Sequence, residues 1–397
     1  MVLVVVAPWS RCAARAPWPE RGRGRPGHWL TRAAPAGESQ WVDADTIARI
    51  ETFPLRIPFR AGARPPVDSL LVKVTTSEGR EGWGEAFGFE AAPVTRRAVE
   101  DLIAPLCTGQ EAALIGPLMR AVQQQLMIFG RGGLVIHALS AVDTALWDIA
   151  GKVAGLPLHQ LLGGGGASLP SYASLDPCGD PRAVRGAVRE ALDAGFRDVK
   201  LHEREVPAVR AAREEAGHAV ALMLDVNCPW TVAQARAAAE QLREFRLRWL
   251  EEPLWPAEDY DGLARLRAAG GIPLAAGENA ATLLEFGRLM DVVDFVQPSP
   301  AKMGGVTELC KVFQVAAARG VTVMPHTFYH GPGLLAAVQV TAALGTPDSM
   351  IEWRHSALEA DPYGGAVTPA RGRITVPQGP GLGLDPDPDV LRAFLHA

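Results

Sequence analysis

Three stretches decide the fold: Ala221-Leu-Met-Leu-Asp225-Val-Asn227, Leu247-Arg-Trp-Leu-Glu251-Glu252-Pro253 and Pro273-Leu-Ala-Ala-Gly277-Glu278-Asn279. Each is a short apolar run that ends at a carboxylate, and an Ala-, Arg- and Leu-rich segment with helical periodicity follows it. A buried parallel strand that leads into a crossover helix has this pattern. The sequence therefore predicts repeated βα units.

Asp225, Glu251 and Glu278 are the candidates for one metal site, because they recur about one βα unit apart. In a closed barrel the C-terminal ends of the strands converge at one rim, where barrel enzymes keep their active sites. Carboxylate oxygens without Cys or His among them favour Mg²⁺ or Mn²⁺ over zinc. Any single acid could equally cap the following helix, but three in register favour a metal site.

The preceding predicted strand ends with a lysine and a histidine, Lys200 and His202. Alternation along a strand places both on the face that carries the metal ligands. Two neighbouring cations should lower each other's pKa towards a range suitable for proton abstraction. The alternative is that Lys200 merely pairs with Asp198 or Glu203.

The last three predicted strands also end in an acid or a base, namely Lys302, His326 and Glu352. One such histidine would more often be an ordinary rim residue. A titratable group at six consecutive strand ends is hard to explain by packing, so all three are candidate catalytic residues.

Length and composition indicate an enzyme of small molecules. The 397 residues suit a barrel of at least about 200 residues plus a second lobe. The net charge of −5 argues against a nucleic acid or an anionic membrane as partner, and no apolar run of the sequence suggests a membrane span. The five cysteines show no pairing pattern, which fits free thiols in the cytoplasm.

The chain ahead of the barrel divides into two parts. Residues 1–45 are rich in Arg, Pro and Gly and are predicted to be a disordered extension, with a basic targeting or nucleic-acid arm or a mis-assigned start as alternatives. Strands are predicted from Ile47 to Phe53 and from Ser69 to Thr75, with a loop between them, and a hairpin partner at Glu81–Ala86. A helix follows from Leu134 to Val153.

From about Ile47 to its end the chain resembles the enolase superfamily, in its mandelate racemase/muconate lactonizing enzyme family. The residues that carry the resemblance are His137-Ala-Leu-Ser-Ala-Val-Asp143-Thr-Ala-Leu-Trp-Asp148, Lys200-x-His202, Leu250-Glu-Glu-Pro253, Gly277-Glu-Asn279 and Lys302-Met-Gly-Gly305. Together these motifs are specific, although each alone is weak.

The resemblance implies an α/β fold, a modified TIM barrel of the (β/α)7β type with an α+β N-terminal capping domain. The expected boundaries are 46–165 for the capping domain, 166–365 for the barrel and 366–397 for a segment that packs back on the cap. It further implies one Mg²⁺ on the three carboxylates, and a homo-oligomer.

The chemistry implied by the resemblance is abstraction of the proton α to a carboxylate through an enediolate, a case that the superfamily exemplifies. Lys200 would face the substrate carboxylate, and Glu352, if protonated, would donate to it. Lys200 or His202 would serve one face of the α-carbon, and His326 or Lys302 the other.

Two positions depart from the family pattern. His202 stands where the family usually has a second lysine, and a histidine can still act as a base near neutral pH. Ser299 stands where mandelate racemase-like members place an Asp that orients the strand-seven histidine. This departure argues against His326 as the principal base, and the alternative role for it is the general acid for a leaving hydroxide, with Lys302 nearby to assist.

Substrate contacts are expected from the cap loops and the barrel mouth. Arg56, Arg60 and Arg64 on the first loop, Phe87 near the second, and Asn227 are candidates, with solvated arginines as the alternative. A polar rim favours dehydration of an acid sugar or a hydroxylated amino or hydroxy acid. A racemase or epimerase acting on a carboxylate, or a non-catalytic ligand-binding barrel, are the alternatives.

Overall fold

The computed structural model describes residues 45–60 and 65–396, so the predicted extension up to residue 44 and Arg64 lie outside it. The first described elements are the antiparallel strands β1 (Ile47–Ile57), β2 (Val67–Thr76) and β3 (Glu81–Ala86), which lie in this order in one sheet. The three predicted strands are thus present, and the third has the predicted bounds.

Strand β1 is longer than predicted, because the stretch from Pro54 to Ile57 continues the strand instead of forming a loop. Leu55 and Ile57 are buried, while Arg56 between them is exposed, which is the alternation of a half-buried strand. Pro54 is tolerated because β1 lies at the edge of the sheet, with β2 as its neighbouring strand. The prediction treated the two prolines as loop signals and was wrong for this stretch.

Five helices complete the capping domain: α1 (Ala92–Ala98), α2 (Ala104–Cys107), α3 (Ile115–Gln125), α4 (Gly133–Ala154) and α5 (Leu158–Leu161). Helix α4 packs directly against β3, where a Cβ on Gly84 would collide with the carbonyl oxygen of Ala141. Among the described residues α4 is long and apolar enough to cross a membrane, contrary to the sequence-based expectation, but most of it is buried in the core.

Eight parallel strands follow, and each except the last leads into a helix. The strands are β4 (Ser168–Ser174), β5 (Asp198–Leu201), β6 (Ala221–Asp225), β7 (Leu250–Glu251), β8 (Leu274–Ala276), β9 (Phe295–Val296), β10 (Thr322–Val323) and β11 (Ile351–Arg354). The helices are α6 (Pro181–Asp193), α7 (Val206–Ala216), α8 (Val232–Leu242), α9 (Tyr260–Ala269), α10 (Leu283–Val292), α11 (Gly305–Arg319) and α12 (Pro332–Leu344).

The strands lie in the order β10-β9-β8-β7-β6-β5-β4-β11, which is the order of a modified TIM barrel. A side chain connects the two end strands, β10 and β11. The backbone N–H of Thr327, just beyond β10, donates to Glu352 Oε2 of β11 over 2.9 Å. The predicted (β/α)7β barrel with an α+β capping domain is confirmed.

Alternation along the strands places polar residues above an apolar interior. Met223, Trp249 and Met350 belong to one cluster inside the barrel. The residues two positions later, Asp225, Glu251 and Glu352, are equally buried. The alternation that points apolar side chains into the barrel therefore also places these carboxylates at its C-terminal end.

The segment after residue 366 contacts both lobes. Strand β12 (Arg373–Thr375) pairs antiparallel with β4 of the barrel. Helix α13 (Pro388–Phe394) then packs on β1 of the cap.

Asp148 of α4 connects the cap sheet to this C-terminal segment. The carboxylate is buried and accepts hydrogen bonds from the backbone N–H of Trp83 over 2.9 Å and of Leu382 over 2.7 Å. It also pairs with Lys152 Nζ at 2.9 Å. One side chain therefore holds three separate segments together.

Replacing Asp148 with Ala should lower the free energy of unfolding by about 3 kcal/mol, because two buried backbone N–H groups and Lys152 would lose their partner. Urea denaturation measures the change. The matched control is Glu240→Ala, which removes an exposed ion pair with Arg243 and should cost under about 1 kcal/mol. Equal effects of the two substitutions would contradict the connecting role.

Candidate active site

Three carboxylates meet at the C-terminal end of the barrel. Asp225 ends β6, Glu251 ends β7, and Glu278 follows β8 by two residues. One oxygen of each lies within 4.8 Å of the others. Since Mg²⁺ holds oxygen ligands at about 2.1 Å, two opposite ligands are about 4.2 Å apart, and small side-chain movements would suffice to hold the ion.

Neighbouring groups orient two of these carboxylates. The backbone N–H of Asn227 donates to Asp225 Oδ1 over 2.9 Å. The indole N–H of Trp249 donates to Glu251 Oε2 over 2.8 Å from inside the barrel. Hydrogen bonds of this kind fix how a carboxylate is presented to a metal ion. The donor set and its support fit Mg²⁺ or Mn²⁺.

Lys200 lies among the carboxylates and is fully buried. Its Nζ is 2.7 Å from Glu251, 2.8 Å from Glu352 and 3.4 Å from Asp225. Burial disfavours the ammonium, but the carboxylates outweigh burial and hold the lysine pKa well above its usual value. The expectation that His202 lowers the pKa of Lys200 to that of a base was wrong, because the lysine has three anionic neighbours.

The surroundings of Glu352 favour its ionised form. Burial raises the pKa of the carboxyl, but Lys200 together with His326 and Ser174 lowers that pKa to about 2. Its second oxygen accepts the backbone N–H of Thr327. The expectation of a protonated Glu352 that donates a hydrogen bond therefore does not hold for this arrangement.

Replacing Lys200 with Met should destabilise the protein by about 3 kcal/mol in the presence of a chelator, because Asp225, Glu251 and Glu352 would be buried without a cation. Mg²⁺ should restore much of this loss, since it binds the folded state. Thermal unfolding with and without Mg²⁺ tests both statements. The control is Lys311→Met, which removes a partly exposed pair with Glu308. Stability of K200M that is independent of Mg²⁺ would contradict the prediction.

His202 follows β5 and lies on the Asp225 side of the triad. Its Nδ1 is 2.6 Å from the carbonyl oxygen of Leu175. A carbonyl can only accept, so Nδ1 carries the hydrogen and Nε2 is the nitrogen that exchanges a proton. Nε2 is 3.3 Å from Asp225 Oδ2, and the ring packs against Phe328.

His326 lies on the opposite side of the triad, because β10 precedes it and β6, β7 and β8 lie between β10 and β5. Its Nε2 is 3.1 Å from Glu278 Oε2, and its Nδ1 is 3.3 Å from Ser299 Oγ. Burial lowers the pKa of His326, against the raising effect of Glu278 and Glu352. The two histidines thus flank the carboxylates from two directions.

Lys302 is held next to the triad by Asn279. Its Nζ donates to Asn279 Oδ1 over 2.9 Å and lies 4.7 Å above the Phe87 ring of the cap. The amide N–H of Asn279 donates in turn to Glu252, whose carboxyl pKa burial raises to about 8. Lys302 and Phe87 therefore both lie at the site, as the sequence predicted.

The remaining candidate substrate-binding residues lie in three different places. Asn227 is exposed beside Asp225 at the mouth of the barrel. Arg56 pairs with Asp68 within the cap sheet and lines a separate cavity with Arg96, so its placement at the barrel mouth was wrong. Arg60 donates to the carbonyl oxygen of Leu358 and lines a cavity of about 1000 Å³ beside the barrel rim.

Three aromatic residues of the site escaped the sequence analysis. Trp249 and Phe328 contact Glu251 and His202, and Tyr329 OH lies 3.2 Å from Ser299 Oγ. Trp249 could have been found by counting two residues back from Glu251 along the strand. No pattern in the sequence marks the two residues of the loop after His326.

Comparison with known proteins gives the same two lobes. Residues 45–163 match the family described as mandelate racemase/muconate lactonizing enzyme, N-terminal domain, and residues 183–390 match the enolase C-terminal domain-like family. Arabinonate dehydratase from Saccharolobus solfataricus is 29% identical over 81% of this chain and 89% of its own length. D-galactarolactone cycloisomerase from Agrobacterium fabrum is 32% identical over 82% of this chain and 90% of its own length.

A solved structure is similar over most of the chain. The 3,6-anhydro-D-galactonate cycloisomerase from Zobellia galactanivorans superposes with a TM-score of 0.77 at 31% identity. The match covers 89% of this chain and 100% of that protein.

Proposed function

This chain belongs to the mandelate racemase/muconate lactonizing enzyme family of the enolase superfamily, and from that membership we propose that it is a Mg²⁺-dependent dehydratase of acid sugars. The observation that carries the proposal is the carboxylate triad with His202 on one side and His326 on the other. A relative named arabinonate dehydratase supports the substrate class.

Asp225, Glu251 and Glu278 would hold the metal. When bound, Mg²⁺ supplies positive charge beside the substrate carboxylate, where the charge of an enediolate develops. Lys200 would add a second positive charge, because Glu251 and Glu352 keep it protonated. Lys200 is therefore assigned to charge stabilisation and not to proton abstraction.

His202 is assigned as the base that removes the α-proton. Its Nδ1–H is committed to the carbonyl oxygen of Leu175, so the proton would arrive at Nε2. Because Asp225 lies 3.3 Å from Nε2, the imidazolium that forms would have an anionic neighbour.

His326 is assigned as the acid that protonates the leaving hydroxyl from the other side. Hydroxide is a poor leaving group, and a proton delivered as the carbon–oxygen bond breaks would let it depart as water. Lys302, held by Asn279, would assist on the same side.

A cycloisomerase is the second candidate, because two of the similar proteins carry that name. The same groups would then expel a ring oxygen in place of hydroxide, and the substrate would keep all of its atoms. Racemisation or epimerisation remains a third outcome, in which the enediolate is reprotonated at carbon.

Incubation with Mg²⁺ in D₂O and a library of acid sugars, their lactones and anhydro derivatives, and hydroxylated amino and hydroxy acids tests the proposal by mass spectrometry. Dehydration predicts loss of one water from an acid sugar. A ring-opened product that has gained deuterium but lost no water would establish the second candidate. Deuterium gain in a substrate whose skeleton is otherwise unchanged would establish the third.

The proposal includes a small carboxylate as the partner, a homo-oligomer and a cytoplasmic location. Large apolar side chains exposed on the cap support the homo-oligomer, since Ile128 is 83% exposed and Met127 and Phe129 beside it are also exposed. Light scattering of the purified protein measures the oligomeric state.

A further inference from the structure

Two helices of the barrel begin without a capping side chain of their own. Helices α11 and α12 start after Gly304 and Gly331, and a glycine has no side chain to accept from the first backbone N–H groups of a helix. These are the helices that follow Lys302 and His326 along the chain. The helices that follow the three carboxylates are instead capped by residues of their own loops, Thr231, Asp259 and Thr282.

A carboxyl group of the cap lies at the start of α12. Glu85, near the end of β3, is buried, and its Oε2 accepts the backbone N–H of Gly333 over 3.0 Å. A Cβ on Gly331 would collide with the same carboxyl group. The glycine at the start of α12 therefore leaves the space that Glu85 fills.

The start of α12 is connected to His326 through Tyr329. The packing between them is close, because a Cβ on Gly333 would come within 2.7 Å of Tyr329 Cε2. The Tyr329 hydroxyl donates to the carbonyl oxygen of His326 over 3.1 Å. A displacement of the first turn of α12 would therefore be passed on to the loop that carries His326.

Helix α4 of the cap binds the start of α11 in the same way. Ser140 Oγ accepts the backbone N–H of Gly304 over 2.8 Å, and Asp143 Oδ1 accepts that of Thr307 over 2.9 Å. Ser140 and Asp143 are both buried. Because Lys302 lies only two residues before Gly304, these contacts hold the turn that carries it.

We propose that Glu85 and Asp143 are positioning residues through which the cap holds His326 and Lys302 in place, by binding the starts of α12 and α11. The assignment of His326 and Lys302 to the acid side of the reaction rests on the proposed function, whereas the binding of the two helix starts does not. The three carboxylates of the metal site lie outside the two segments that the cap holds.

The proposal does not depend on the charge of the two carboxyl groups. Burial raises the pKa of Glu85 to about 8 and that of Asp143 to about 7. A carboxyl oxygen accepts a backbone N–H in the ionised and in the protonated form. Glu85→Gln, which keeps an accepting oxygen, is therefore expected to retain the contact that Glu85→Ala removes.

Hydrogen exchange of the full-length protein, followed by mass spectrometry, tests the proposal without a substrate. Glu85→Ala should speed amide exchange at the start of α12 and in the loop after His326 at least about fivefold, because the first turn loses its cap. Asp143→Ala should do the same at the start of α11 and in the turn around Lys302. Glu85→Gln should exchange at nearly the rate of the unmodified protein.

The matched control is Asp180→Ala, which removes the carboxylate cap of α6. It should speed exchange at the start of α6 and leave α11 and α12 unchanged. Equal acceleration in all barrel helices of Glu85→Ala, or none at α12, would overturn the proposal. If the alanine variants at Glu85 and Asp143 do not fold, Ser140→Ala removes a single hydroxyl and should speed exchange at the start of α11 alone.

With a substrate in hand, Glu85→Ala should lower the rate of water loss about tenfold or more, while deuterium exchange at the α-carbon stays within about threefold, because only the acid is displaced. Mg²⁺ affinity, measured by calorimetry, should not change. Equal losses of exchange and water loss would indicate a merely structural role and would overturn the proposal. If no acid sugar is turned over, the proposed function fails, while hydrogen exchange still decides whether the cap holds the two segments.

Discussion

Asparagine at Asp225 should reduce Mg²⁺-dependent turnover at least about 1000-fold, a loss of several kcal/mol of transition-state stabilisation. The substitution keeps the shape of the side chain and its hydrogen bond from the backbone of Asn227, but it removes one of three charges from the metal site. Binding of Mg²⁺, measured by calorimetry, should weaken at least about tenfold, since a carboxylate is a far better ligand than an amide for this ion.

Asp198→Asn is the matched control for Asp225→Asn. Asp198 also lies on the barrel wall, at the start of β5, but it pairs with Arg248 and belongs to no metal cluster among the described residues. This variant should bind Mg²⁺ as the unmodified protein does. If Asp225→Asn binds Mg²⁺ with unchanged affinity, the three carboxylates are not the metal site.

The second large effect is expected at His202. Replacement with Asn should lower turnover by about 1000-fold, within the usual range for a lost general base, and should leave Mg²⁺ affinity within about threefold. Turnover and Mg²⁺ affinity should respond differently, because His202 contacts Asp225 but is not one of the three carboxylates. Steady-state kinetics and calorimetry on the same preparation give both values.

His355→Asn provides the histidine control. His355 follows β11 and packs against Phe196, and it makes no described contact with the three carboxylates. The turnover of His355→Asn should stay within a few fold of that of the unmodified protein. Wild-type turnover of His202→Asn would contradict the assignment of His202 as the base.

The spacing of apolar runs was sufficient to predict that three carboxylates meet at one end of the barrel. Side chains at the C-terminal ends of parallel strands have to converge when the strands close into a barrel, so the positions of Asp225, Glu251 and Glu278 followed from their place in the repeat. The resemblance to the family, and not the spacing, implied that His202 and His326 serve opposite faces, and in the structure they contact Asp225 and Glu278 respectively.

The protonation states could not be predicted in this way, because they depend on distances between strands. The sequence shows Lys200 beside His202, and the neighbour along the chain suggested a lowered pKa. In the structure Glu251 and Glu352 lie 2.7 and 2.8 Å from Nζ and raise the pKa of Lys200. Neither glutamate is near Lys200 in the sequence.

The irregular segments were the other part of the structure that the sequence did not predict. Two prolines suggested a loop from Pro54 to Gly62, but burial of Leu55 and Ile57 favours a strand up to Ile57. In this strand Arg56 pairs with Asp68 of the cap sheet. Tyr329 lies on a loop next to Gly333, which donates a hydrogen bond to Glu85 of the cap, and no local pattern encodes these contacts.

Deuterium exchange in His326→Asn tests most directly whether His202 is the base and His326 the acid. Without its acid, this variant should still remove the α-proton through His202 and return a deuteron from D₂O, so the substrate should gain deuterium while losing no water. His202→Asn should show neither exchange nor water loss. Absence of exchange in His326→Asn, or exchange in His202→Asn at the wild-type rate, would contradict the assignment of His202 as the base.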